Sequence, residues 1–441
     1  MMGSPAEWNG ILSDVPSAFR PVTTAPAHPA PPWLLERLQA AGGSVPFRTY
    51  MEWALHDPEH GYYGSGRARI GPDGDFATSP SLGDAFASLL LPQLIEWLDQ
   101  LAGDRLSLLE AGPGEGQLAG QLATGLARLR PDLASRSELV LLEPNPGMAA
   151  KQRRVLRESP LPLRWTGWEE LHRSPLTGVV IAHEVLDALP VDRLLWDGTH
   201  WCWQHVACDL EGGLALSAGP ALRPEELTEL TELDLAPAGR APGWCTERHP
   251  GLEPWFQACA GALREGLLLV IDYALEARRY YSPRRTKGTL LACKGQQATG
   301  NPLLAPGEWD LTAHLCLESA QRAAAATGWC CLGERRQGEA LLALGLAERL
   351  ASQRHLSGVQ LAERLRCREQ LLRLVDPHAL GDFRWLVFER APSNRVAGPL
   401  RSRCLQDPES ALRPEDPEST LELECASEGS ARLPASAVDQ P

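Results

Sequence analysis

Lysine is almost missing from this chain: only Lys151, Lys287 and Lys294 stand beside 39 arginines in 441 residues. That skew reads as genome composition rather than function. A surplus of positive charge is missing too. The formal net charge is -14, and the field of such a molecule repels polyanions, which argues against a nucleic-acid grip. No apolar run approaches the ~18 residues a membrane span needs; the longest, such as Ala340 to Ala347, suit core helices. The 11 cysteines are odd in number and contain no C-x-x-C, so neither a disulfide framework nor a metal site is expected. The N-terminus lacks a signal-peptide pattern, and Glu7 and Asp14 do not suit a transit peptide. These absences together point to a cytoplasmic protein without a membrane span.

What is present is globular. Hydrophobic residues are 44% of the chain and charged residues 22%, values that support a packed core. Residues 1–32 carry seven prolines and read as a disordered arm; residues 391–441, with no aromatic residue and DPES at 407–410 and again at 416–419, read as a disordered acidic tail. Residues 33–105 are expected to form a helical cap. Phe47, Tyr50, Met51, Ala54 and Leu55 make one helical stripe, and Leu82, Phe86, Leu89, Leu90, Leu94 and Leu98 make another, kinked at Pro92. A Gly-rich loop, GYYGSGRARIGPDGDFATSP, lies between them.

From residue 106 to 390 the pattern changes to strand, turn, helix. LSLLEAG at 106–112, ELVLLE at 138–143, GVVIAHE at 178–184 and GLLLVIDYA at 266–274 each hold a short continuous apolar run. Such runs alternating with helices predict an α/β fold with a doubly wound, mostly parallel sheet covered on both faces. An insertion at about 191–250, opened by a hairpin signal at Asp197-Gly198, interrupts that order.

The sharpest local feature is E-A-G-P-G-E-G at 110–116, directly after the first strand. Gly112, Gly114 and Gly116 let the backbone turn and approach a ligand closely, while the next helix offers its N-terminus. Gln117 stands where a dinucleotide fingerprint wants its third glycine, and G-K-[ST] does not occur; a nicotinamide cofactor is disfavoured and a P-loop excluded. Glu143 ends the second strand, 27 residues beyond Gly116, where an acid can accept both ribose hydroxyls. A nucleoside site with no strong pyrophosphate demand suits S-adenosyl-L-methionine.

These residues, with HDPEHGYYG at 56–64, IGPDGDFATSP at 70–80, EVLDALPV at 184–191, PGEWDLTAH at 306–314 and QGEALLALG at 337–345, make the chain resemble the MidA family of S-adenosylmethionine-dependent methyltransferases. That family includes the mitochondrial assembly factor for respiratory complex I that methylates arginine. The resemblance implies that Glu110, Gly112, Gly114, Gly116 and Glu143 hold the cofactor and that the Gly74-Asp75-Phe76 loop closes over it. It further implies a protein-arginine acceptor, with a subunit of an NADH dehydrogenase-type complex as the partner.

An arginine acceptor asks for carboxylates that orient its cation and accept the proton lost after attack. Glu184 and Asp187, just past a strand's carboxyl end, and Glu247 in the insertion are the candidates. His183 could serve as a base, although a histidine directly after a buried strand is more often structural. The substrate side departs from the family pattern at His183, Ser81, Ala274, Leu291, Cys293 and Gln296. A scaffold that keeps the fold without catalysis is therefore the competing expectation.

Overall fold

The computed structural model describes residues 20–21, 30–208, 212–232, 235, 239–352, 361–391 and 399–407. The arm expected at 1–32 and the tail expected at 391–441 fall largely outside these.

Seven strands form the central sheet: β1 Leu106–Ala111, β2 Ser137–Leu142, β3 Leu163–Thr166, β4 Leu176–His183, β5 Leu263–Asp272, β6 Cys330–Arg336 and β7 Arg384–Arg390. Their spatial order is β6-β7-β5-β4-β1-β2-β3. β1 to β5 run parallel, and β7 enters antiparallel between β5 and β6. The apolar runs are explained by the two faces. Leu106, Leu108, Leu139, Leu141, Val179 and Ile181 join one apolar cluster, whereas Leu109, Ala111, Val140, Leu142, Val180 and Ala182 join the other. Alternate side chains thus enter opposite layers, and both layers are buried.

The first layer contains the helices Ala85–Gln100, Gln117–Leu129 and Gln337–Ala343; the second contains Leu252–Ala262 and Leu317–Ala326. The helix Ala85–Gln100 therefore belongs to the sheet's own covering layer rather than to a cap extending to residue 105. It runs on through Pro92 as one element.

The insertion builds a second sheet from Asp192–Trp196, Trp201–Cys208, Leu214–Ala221 and Cys245–Arg248. Strand Ser44–Pro46 pairs with Trp201–Cys208. The helices Pro32–Ala40 and Phe47–His56 flank that strand and bury Leu34, Leu38, Tyr50 and Met51 in a cluster shared with Val191, Val206 and Leu311. The cap is thus seated on the insertion.

The folded part also extends beyond residue 390. Leu400 and Cys404 are buried in the first layer. Trp97 Nε1 donates to Ser402 Oγ at 3.1 Å, and the Cys404 N–H donates to Gln93 Oε1 at 2.9 Å. Low aromatic content misled the sequence reading here: two buried side chains and backbone bonds to one helix suffice to dock nine residues. A chain ending at Ala391 is expected to be about 3–5 kcal/mol less stable in urea than one ending at Asp407, from lost apolar burial and hydrogen bonds. Equal midpoints would show that this contact contributes nothing.

Candidate functional site

The glycine turn leaves β1 with Gly112, Gly114 and Gly116 at φ 63°, 52° and 90°. L-residues pay for this left-handed region, and a Cβ on Gly114 would lie 2.8 Å from Ile70 Cδ1. Glu110, two residues earlier, is buried, and burial pushes its carboxyl up to about 8. Its Oε2 has no hydrogen-bond partner. Glu143, half-buried after β2, accepts the Asn145 N–H and Gln152 Nε2, each at 2.9 Å, and burial raises its pKa. Two oxygens offer about four acceptor sites, so capacity remains for a ligand.

Gln152 is the residue that the sequence did not reveal. Fully buried on helix Pro146–Val155, its amide also donates to the Gly114 carbonyl at 2.9 Å, while its Oε1 accepts Trp165 Nε1 at 3.0 Å. One glutamine thus ties the glycine turn to the acid at the end of β2. In the polar run K-Q-R-R it carries no signal. An unpaired buried carboxyl oxygen, a left-handed glycine cradle and an acid with spare acceptors fit a nucleoside cofactor with a cationic amino acid end.

The Gly-rich loop lies over this turn. Lys151 Nζ donates to the Ala68 carbonyl at 2.6 Å, and Ile70 packs on Gly114. Asp75, expected to face the cofactor, is engaged elsewhere: its carboxylate accepts the Tyr62 hydroxyl at 3.0 Å and the Gly295 N–H at 3.1 Å. Gln296 donates to the carbonyls of Gly71 and Gly74, each at 3.2 Å. Gly74 and Asp75 therefore fasten the loop to the 295–296 turn rather than presenting groups to the glycine cradle.

The acceptor side begins at the end of β4. Glu184 sits at φ 54°, a costly conformation for a side-chain-bearing residue. Asp272, last in β5, explains why it persists. Asp272 Oδ2 accepts the N–H groups of Val185, Leu186 and Asp187 at 3.3, 2.9 and 3.2 Å, and Oδ1 accepts that of Tyr273 at 2.8 Å. The turn so held brings Glu184 and Asp187 to a cavity of about 30 Å³, which Tyr63, Phe76, Tyr273 and Asp310 also line.

Among the described residues no arginine or lysine lines this cavity, although His314 does. Burial, then the neighbouring Asp187, Asp272 and Asp310, raises Glu184 well above the usual carboxylate range, and its Oε1 has no hydrogen-bond partner. Burial takes Asp187 up to about 6, against a 2.7 Å bond from the Thr312 hydroxyl. Asp310 is pushed up to about 8, first by burial and then by Asp187. Among the described residues no three His, Cys, Asp or Glu side chains are arranged to hold a metal ion.

Two other expected residues lie apart. Glu247 is fully buried, taking Arg193 Nε at 3.2 Å and the Thr289 N–H and hydroxyl at 2.7 and 3.1 Å. It clasps the insertion to the 288–290 segment and does not line the cavity. His183 packs edge-on against Phe86 at 5.2 Å, and burial lowers it to about 3. A ring held neutral to such low pH is a poor base near neutrality. Leu291 and Cys293 line the cavity as an apolar wall.

Residues 89–335 match the family described as "Putative S-adenosyl-L-methionine-dependent methyltransferase", and the chain belongs to that family. It is 28% identical over 341 residues to Protein arginine methyltransferase NDUFAF7 homolog, mitochondrial, of Drosophila melanogaster, covering 70% of this chain and 75% of the relative. It is 27% identical over 435 residues to Protein arginine methyltransferase NDUFAF7, mitochondrial, of Homo sapiens, covering 89% and 90%. A Burkholderia thailandensis protein crystallised with S-adenosyl-homocysteine superposes with a TM-score of 0.74 at 27% identity, covering 91% of this chain and 96% of that one. The fold is that of S-adenosylmethionine-dependent methyltransferases, and S-adenosyl-L-methionine is the cofactor.

Replacing Gly114 by valine is expected to abolish S-adenosyl-homocysteine binding in calorimetry and to cost about 1–2 kcal/mol of stability from the left-handed backbone alone. Undiminished affinity in a folded variant would remove the glycine turn from the cofactor site.

Proposed function

We propose that this methyltransferase modifies arginine side chains of a protein. The observation that carries the reading is the set of buried carboxyl groups, Glu184, Asp187 and Asp310, around a cavity at the carboxyl ends of β4 and β5 that His314 also lines but, among the described residues, no arginine or lysine does. Buried charges are normally paired. A guanidinium brings five donors and a charge that persists to pH above 12, which this cavity lacks and its carboxyl groups are disposed to receive. A neutral acceptor would leave them uncompensated. The names of the fly and human relatives support the same acceptor.

When bound, S-adenosyl-L-methionine supplies a sulfonium methyl group that passes to the acceptor nitrogen and leaves S-adenosyl-homocysteine. The chain's own residues then have three tasks. Glu184, aimed by the Asp272-held turn, orients one edge of the guanidinium. The carboxylates draw positive charge away from the attacked nitrogen and thereby restore its lone pair. Asp187, which burial places at about 6, accepts the proton that the methylated nitrogen loses, so that the product remains a monocation. Positioning of this kind contributes ~7–11 kcal/mol when the approach is well aligned.

The resemblance also supports a client in an NADH dehydrogenase-type complex, and the scattered cysteines, which fit a reducing compartment, support action in the cytoplasm; both are part of the proposal. The test is transfer of radiolabelled methyl groups to arginine-containing proteins, with methylarginine identified after hydrolysis. Glu184→Gln is expected to lower kcat at least ~100-fold, of the order seen when one strong transition-state contact is removed, while S-adenosyl-homocysteine affinity stays within about twofold. Labelled product lacking methylarginine would overturn the arginine reading. Cofactor binding with no transfer at all would favour a scaffold that has lost catalysis.

A further inference from the structure

Asp310 opens the short strand Asp310–Thr312, which pairs antiparallel with Leu291–Lys294 and sets Cys293 opposite Asp310. Two residues on, Thr312 bonds Asp187, so one strand serves two of the cavity's carboxyl groups. Asp310 is 5% exposed and lines the cavity, yet its Oδ1 has no hydrogen-bond partner.

A buried aspartate kept for structure looks different. Asp272, also buried, accepts four backbone N–H groups on its two oxygens. Glu247 meets a guanidinium, an N–H and a hydroxyl. Asp310 has only the Tyr63 hydroxyl and the Leu311 backbone to favour its charge. Asp187 from the turn after β4 and Asp75 from the Gly-rich loop raise the cost of that charge; the other titratable groups around it are Glu184 beyond β4, Tyr62 of the loop, Cys293 of the paired strand and His314, which lines the same cavity. A carboxyl group so placed costs the empty protein stability and gains a partner only when a cation enters.

We infer that Asp310 is a substrate-contacting residue, which receives the acceptor guanidinium together with Glu184 and is held for that contact by Tyr63 of the Gly-rich loop. The inference rests on the arginine reading and assigns within it a direct contact to Asp310 and a supporting role to the loop. It also separates function from stability. A carboxyl whose folded pKa stands above its unfolded value holds an extra proton in the folded state, so stability falls as pH rises from near 4 to about 8. Removing the carboxyl should lift that penalty.

The test uses Asp310→Asn, nearly isosteric and still able to accept from Tyr63, in the full chain with S-adenosyl-homocysteine bound. The probe is N-acetyl-arginine amide, with the neutral N-acetyl-citrulline amide as control. The melting temperature of the apo variant should exceed that of the parent at pH 8, by a margin that shrinks towards pH 5. Its affinity for the arginine probe should fall at least ~10-fold, as for loss of one charge-assisted bond. A lower melting temperature at pH 8 would make Asp310 structural, and unchanged probe affinity would remove it from the site; either overturns the inference. A parent protein that treats arginine and citrulline probes alike would overturn the arginine reading itself, and this inference with it.

Discussion

The acceptor side of the molecule depends on one carboxylate beneath one turn. Asp272 takes the three consecutive N–H groups of Val185, Leu186 and Asp187, and those bonds hold the backbone in the form that leaves Glu184 left-handed. Without them the turn would relax and its two acids would no longer converge. Burial raises the Asp272 carboxyl well above the usual range, yet even as ordinary hydrogen bonds of about 0.5–1.5 kcal/mol each the three together match or exceed the ~1–2 kcal/mol that a left-handed residue costs. Strain at Glu184 is thus sustained by the end of the neighbouring strand.

Around that turn, one loop touches everything that matters. The stretch from Tyr62 to Phe76 places Ile70 on the glycine turn, lends the Ala68 carbonyl to Lys151, and contributes Tyr63 and Phe76 to the acid cavity. Asp75 and Gln296 bind it to the turn after Leu291–Lys294. The cofactor cradle and the acceptor cavity therefore share a roof. Behind it, the Arg193–Glu247–Thr289 network joins the insertion to the same segment, so the second sheet is a brace for the site.

The parts legible in the sequence were those with a local signature. Continuous apolar runs announced a parallel sheet because both faces are buried, and the glycines announced a turn that side chains disfavour. Helix Ala85–Gln100 showed its stripe, but a stripe reveals that a face is buried and not which element buries it. Residues 399–407 dock through two side chains, too few to register as a pattern. Gln152 and Asp310 act through partners distant in sequence, and only the folded chain brings them together. Glu247 failed as a substrate contact for the same reason in reverse: its partner Arg193 lies 54 residues away.

The central claim is that the cavity's carboxyl groups wait for a cation. Burial without a counter-charge holds Asp310 at about 8 and Glu184 well above the usual range, so at pH 7 the empty cavity retains protons. A guanidinium would expel them. Calorimetric titration of an arginine peptide into the complex with S-adenosyl-homocysteine, repeated in buffers of different ionisation enthalpy, counts those protons directly. The account predicts release of about one proton or more per peptide at pH 7. Binding with no proton released, or with protons taken up, would contradict it.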